Sequence, residues 1–164
     1  MNGNEIQLSP AERFVRAHIQ HYDEKKYWGR REKVVAAPQG GSVSKLINIW
    51  RLLYIKRCDA YNNASTGTHL GFGARFKAPP RLPHGLYGIV ISHNAVIGSG
   101  CTIYHQVTIG EGRHGAPHIG DNVFIGAGAK LIGGIKIGSG ANAVVVHDVP
   151  ENGVILAPDG VLKV

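Results

Sequence analysis

"ISHNAVIGSGCTIYHQVTIG", residues 91 to 110, places an aliphatic residue at every sixth position and a small one four places after it. Ile91, Ile97, Ile103 and Ile109 head the units. The series is interrupted by "EGRHGAPH" (111–118) and resumes with Ile119, Ile125, Leu131 and Ile137. Only the step from Ile109 to Ile119 departs from six, by four residues. A short fixed period of this kind signals a solenoid.

The physics of the period is a three-sided parallel coil. A short strand runs along each side, and the corners need small residues or the backbone freedom of glycine. The leading aliphatics point inward and stack at the ~4.8 Å spacing of a sheet. Burying each contributes roughly 1.5 to 3 kcal/mol before entropy is subtracted. No unit forms a core alone, so they fold together. Cys101, at the small fifth position of its unit, is expected to be a buried, inert thiol.

Eighteen residues complete one turn, so Ile109 returns to the side of Ile91. Leu82 precedes Ile91 across an irregular nine-residue step and shares a side with Ile103. His84 and His105 each lie two places past such an aliphatic, which predicts that they stack one turn apart, with Ala127 continuing the column. Two imidazoles followed by a small residue would border a groove with room for a ligand.

The rest of the chain has another period. "SPAERFVRAHIQHYDEKK" offers Ser9 as an N-cap and Pro10 at the first helical position. Phe14, Ala17 and His18 then fall on one helical face. "PQGGS" (38–42) breaks the pattern. "VSKLINIWRLLYIKRCDAY" (43–61) is a second amphipathic helix, with Val43, Leu46, Ile47, Trp50, Leu53, Tyr54 and Arg57 on one face. The fold expected is mainly β: a helical segment of two short α-helices over residues 1–66, then a coil over 67–164 with an inserted loop near 110–118 and a short C-terminal tail.

The chain has 164 residues, 43% of them hydrophobic, with 23 glycines and a formal charge of +7. The charge speaks to partners and not to fold. Nucleic acid is not expected, because the basic residues are not interleaved with aromatics. No apolar run approaches the ~18 residues of a membrane span. Arg51, Lys56 and Arg57 are compatible with weak association with an anionic membrane surface, as is a helix packed on its own domain. Only Cys58 and Cys101 are present, neither in a CxxC pair, and "MNGNEIQLSP" has no apolar signal region. A cytoplasmic protein with reduced thiols is expected.

"LPHGLYGIVISHNAVIGSGCTIYHQVTIG", "PHIGDNVFIGAGAKLIGGIKIG" and "VVVHDVPEN" together resemble the hexapeptide-repeat acyltransferases over residues 67 to 156. The likeness is closest to the serine acetyltransferase-like branch, which includes sugar O-acetyltransferases of polysaccharide gene clusters. It implies a left-handed parallel β-helix, a homotrimer with sites between subunits, and acetyl-CoA as acyl donor. It implies that His84, ahead of "GIVI", is the general base. From spacing alone, a histidine that caps a turn accounts for His84 equally well. The family's second functional histidine precedes the Pro of "HPKI". Here Ala116 takes that place, and His114, two residues earlier, becomes the candidate. By the same resemblance, Gly110, Ala127, Gly128 and Ala129 present backbone to the pantetheine arm. Lys130, with Lys136 and Lys163, is a candidate for the CoA phosphates. The family's "GxPAK" ending is absent, although Pro158 and Lys163 are present.

One departure bears on the acceptor. Serine acetyltransferases carry Asp immediately before the catalytic histidine, where it helps bind an ammonium group; this chain has Pro83. The expected acceptor is therefore a hydroxyl of a sugar or polysaccharide precursor, with serine as the alternative. His84 would take the hydroxyl proton as the oxygen attacks the thioester, and His105 and His114 would complete the site. No metal is expected. A carbonic anhydrase-like zinc protein using His84, His114 and His118 is the second reading, but the repeat after the insertion, "IGAGAKLIGG", offers no later histidine ligand. A non-catalytic scaffold is the third.

Overall fold

The structure is a computed structural model that describes residues 9–37, 42–138, 140, 154–156 and 161–163. "PQGG", "VVVHDVPEN" and the side chain of Lys163 lie outside the described residues.

Three helices precede the coil where two were expected. In α1 (Pro10–Ile19), Ser9 Oγ accepts from the Glu12 N–H at 3.2 Å and the Glu12 carboxylate accepts from the Ser9 N–H at 2.7 Å, a reciprocal cap. The helix does not continue through "QHYDEKK", because His21 adopts φ +49°, a left-handed turn. Asp23 then caps a new helix, α2 (Glu24–Val35), accepting from the Lys26 N–H at 2.9 Å. Its charge-rich sequence hides a narrow buried stripe of Tyr27, Trp28, Arg31 and Val34.

The last helix, α3 (Ser42–Tyr61), forms as its spacing predicts but is turned over. Of the face that reads as apolar, Val43, Leu46, Ile47, Trp50, Leu53 and Arg57 are exposed, while Tyr54 is half-buried against the helical cluster. The buried face carries Asn48, Ile55, Cys58, Asp59 and, just beyond the helix, Asn62. Hydrogen bonds compensate for burying these polar groups. Tyr27 Oη donates to Asp59 Oδ1 at 2.6 Å and also lies 2.6 Å from Thr66 Oγ1. Arg31 Nη2 donates to the carbonyls of Thr66 at 3.1 Å and Ala74 at 2.7 Å. Burial pushes the Tyr27 hydroxyl and the Asp59 carboxyl upward and lowers Arg31 to about 10. This network joins both helices to the first winding of the coil.

β1 (Thr68–His69) and β2 (Phe72–Gly73) make an antiparallel hairpin. From there the chain visits three parallel sheets in rotation. One holds β3 (Arg75–Phe76), β5 (Val96–Ile97), β8 (His118–Ile119) and β11 (Lys136–Ile137). The second holds β4 (Val90–Ile91), β7 (Thr108–Gly110) and β10 (Lys130–Ile132), and the third β6 (Thr102–Ile103) and β9 (Phe124–Ile125). In register, Ile91 faces Ile109, Ile97 faces Ile119, Ile103 faces Ile125, and Ile109 faces Leu131. The four extra residues are thus absorbed in the loop, and the columns survive the insertion. All eight leading aliphatics are buried, and so are the residues four places on, Ala95, Cys101, Val107, Val123, Ala129 and Ile135. Two inward columns per side favour a small or slender residue at the fifth position, with Ile135 the exception among the six named. β12 (Val154–Leu156) and β13 (Val161–Lys163) pair antiparallel.

Candidate active site

The irregular step before Ile91 is where helices and coil meet. Arg81 pairs with the β6 strand: its N–H donates to the Cys101 carbonyl at 2.8 Å and its carbonyl accepts from Ile103 at 2.9 Å. Leu82 is thereby fixed on the side of Ile103. Two turns follow, closed by Gly85 N–H to Leu82 O and Ile89 N–H to Leu86 O, each at 3.0 Å. Leu86 is fully buried in the helical cluster that contains Tyr22, Trp28 and Ile55, which anchors the segment. His84 is left exposed at the corner.

His84 and His105 do meet one turn apart, edge to face and not stacked. Their ring centroids are 4.8 Å apart at 76°, and Tyr104 lies 5.5 Å from His84. The Gly128 N–H donates to the His105 carbonyl at 3.0 Å, which carries the column on to Ala127 and Gly128. Both are exposed, and neither Gly126 nor Gly128 has another group within 4 Å of where a Cβ would stand.

The helices complete a cleft of about 390 Å³ over this column. Its walls are Ile19 and Gln20 from the end of α1, Tyr61 and Asn62 from the end of α3, Tyr87, and the two histidines. Among the described residues, Gln20 Oε1 and His105 Nδ1 are buried without a hydrogen-bond partner. Unpaired buried polar atoms are costly, and both belong to residues in the wall of one cleft; Gln20 Oε1 lies against Gly85, where a Cβ would stand 2.8 Å from it. Among the described residues no carboxylate lines it. Sequence reasoning missed the five wall residues other than the histidines. Tyr87 belongs to the same turn as His84, whereas Ile19, Gln20, Tyr61 and Asn62 approach it because of how the helices dock, and nothing in their spacing signals it.

The inserted loop is a tight turn. Gly112 and Gly115 exchange hydrogen bonds at 2.9 and 3.2 Å, with Arg113 and His114 exposed at its tip. It rests on the next winding, since a Cβ on Gly134 would overlap the His114 carbonyl oxygen at 2.1 Å. His114 therefore stands at the corner between β7 and β8, whereas His84 and His105 occupy the corner that leads into β4 and β7. Within one chain His114 is not brought to His84. Among the described residues no three histidine, cysteine, aspartate or glutamate side chains converge to hold a metal.

The remaining expected ligand-binding residues divide. Ala127 and Gly128 border open space. Gly110 is covered, because a Cβ there would meet Ile132 Cδ1 at 2.7 Å. Ala129 is wholly buried, and its N–H and carbonyl are already engaged with the Gly126 carbonyl at 3.2 Å and the Thr108 N–H at 2.8 Å. Lys130 Nζ is already engaged, donating to the Gln106 carbonyl at 3.0 Å and Thr108 Oγ1 at 2.9 Å.

No protein-family model matches the chain. It is 45% identical over 105 residues to a serine acetyltransferase of Mycobacterium tuberculosis, a match covering 58% of this chain and 44% of that protein. The crystal structure of a serine acetyltransferase from Neisseria gonorrhoeae superposes with a TM-score of 0.62 at 26% identity, covering 85% of this chain and 53% of the other. A soybean serine acetyltransferase complexed with serine gives 0.52 at 32% identity, with 70% and 51% covered. The chain thus spans about half the length of the relatives it matches. In sequence and in fold the chain is similar to serine acetyltransferases over about half of their length.

Proposed function

We propose that this chain is an acetyl-CoA-dependent O-acetyltransferase, a left-handed β-helix working as a cytoplasmic homotrimer. One observation carries the reading: an exposed imidazole, His84, stands in a cleft against His105, in line with the open backbone of Ala127 and Gly128. A participating His114 requires a second copy of the chain, because in a single coil it stands at a different corner. The two cysteines are buried and free, which suits a reducing compartment.

The step is direct transfer. The acceptor hydroxyl oxygen attacks the thioester carbonyl carbon while neutral His84 takes its proton. Backbone N–H groups stabilise the resulting oxyanion. The C–S bond then breaks, and the imidazolium returns the proton to the thiolate, giving an acetyl ester and free CoA. General-base assistance of this kind is worth ~10²- to 10⁴-fold.

For the acceptor, the relatives favour serine over the sugar expected from the sequence. The similar proteins are serine acetyltransferases, and the soybean structure holds serine. A specific observation keeps the sugar as a second reading. Among the described residues the cleft has no carboxylate to meet an ammonium group, and Pro83 precedes His84. Thiol release from acetyl-CoA with L-serine, and in parallel with nucleotide sugars and oligosaccharides, tests both. His84→Ala should lower the rate by ~10²-fold or more with the circular dichroism spectrum unchanged. Near-normal turnover in that variant would sink the proposal.

A further inference from the structure

The inverted α3 leaves a surface that the proposed reaction does not use. Val43, Leu46, Ile47, Trp50 and Leu53 form one continuous exposed face, with Trp50 72% accessible. Beside this face a groove of about 690 Å³ runs between α2 and α3. Lys25, Lys26, Arg30, Lys33 and Arg51 line it, with Glu32 the one acid among the described residues, and Ile47 and Trp50 belong to both groove and face. Two of the cations are held in place. The Arg30 guanidinium stacks over Tyr54 at 4.2 Å, and Arg51 donates to Asn48 Oδ1 at 2.8 Å. The groove shares no lining residue with the His84 cleft.

We propose that this groove and the exposed face of α3 dock the protein on an anionic lipid surface. The occupant must supply negative charge to five cations and hydrocarbon to the adjoining apolar side chains. A second copy of this chain, meeting the groove face to face, would bring the same cations against themselves. Nucleic acid would satisfy the charges but leave Val43, Leu46 and Leu53 in water. An anionic bilayer does both: headgroup phosphates meet the groove, the aliphatic face enters the acyl boundary, and Trp50 takes the interfacial level. Among the described residues no helix is long and apolar enough to cross a membrane, so the contact is with the surface.

The test uses the full chain and vesicles of equal parts phosphatidylglycerol and phosphatidylcholine, against vesicles of phosphatidylcholine alone. Trp28 is only 7% accessible, so a change in tryptophan emission reports Trp50. Expected are co-sedimentation with the anionic vesicles, a blue shift of emission, and weakening of both as salt is raised. Trp50→Glu, and separately Lys25→Glu with Lys33→Glu, should each reduce partitioning roughly tenfold or more. Soluble glycerol 3-phosphate should not displace the protein. The proposal is overturned by absence of binding at physiological salt, by equal binding to the neutral vesicles, or by displacement with glycerol 3-phosphate. It is equally overturned if the protein self-associates through this face, seen as an oligomer that Trp50→Glu dissociates while vesicles stay unbound.

Discussion

Gly85 shows how much of the candidate site depends on single positions. It follows His84 directly, has φ +68°, and lies so close to Gln20 that a Cβ would stand 2.8 Å from Oε1. An alanine there meets left-handed strain of ~1–2 kcal/mol and pushes on Gln20 as well. Gly85→Ala should lower the free energy of unfolding in denaturant by about that amount and impair turnover, because the turn that aims His84 is the one strained. Gly126 provides the contrast. Its surroundings are open and it carries no positive φ, so Gly126→Ala should leave stability unchanged to within ~0.5 kcal/mol. If the pantetheine arm runs along this column, the added methyl should raise the KM for acetyl-CoA while kcat holds; an unchanged KM would move the donor elsewhere.

Among the elements, the β7–β8 loop and the corner at Asp121 test the coil. Gly134 accepts the backbone of the inserted loop, so Gly134→Ala must displace His114 and should cost ~1–3 kcal/mol in chemical unfolding. Asp121 sits where Lys77 and Ser99 converge. The Lys77 ammonium, followed by the Ser99 N–H and hydroxyl, lowers its carboxyl to about 2. A depressed carboxylate stabilises the fold above its unfolded value of ~3.9 and loses that contribution as the pH falls toward 2. Thermal melts should therefore fall between about pH 4 and pH 2 in the native protein, and that portion of the decline should be missing in Asp121→Asn. The opposite order, with the variant more acid-sensitive in that window, would contradict the assignment.

On the scale of the whole molecule, helices and coil are one unit because of a buried polar junction. Tyr27→Phe removes the donor to Asp59 and a hydrogen-bond partner of Thr66, leaving a carboxylate that is already short of partners at Oδ2. A loss of ~1–3 kcal/mol is expected, with helix and coil signals still melting together. Separate transitions would mean that the two parts are not joined as described.

The coil was legible because its determinants are local and repeated. A six-residue period fixes which side chains point inward, and the meeting of His84 and His105 follows from counting along the chain. What could not be read was every feature set by docking across long separations. The charge-rich α2 gave little periodic signal. The face of α3 that meets the coil is the one rich in hydrogen-bonding groups, a choice made by Tyr27, Arg31 and Thr66 and not by hydrophobicity along the helix. The cleft has the same origin. Its histidines belong to a column the sequence dictates, but Gln20, Tyr61 and Asn62 reach it only after burial and hydrogen bonding have decided where the helices lie, and no spacing within a single element encodes that contact.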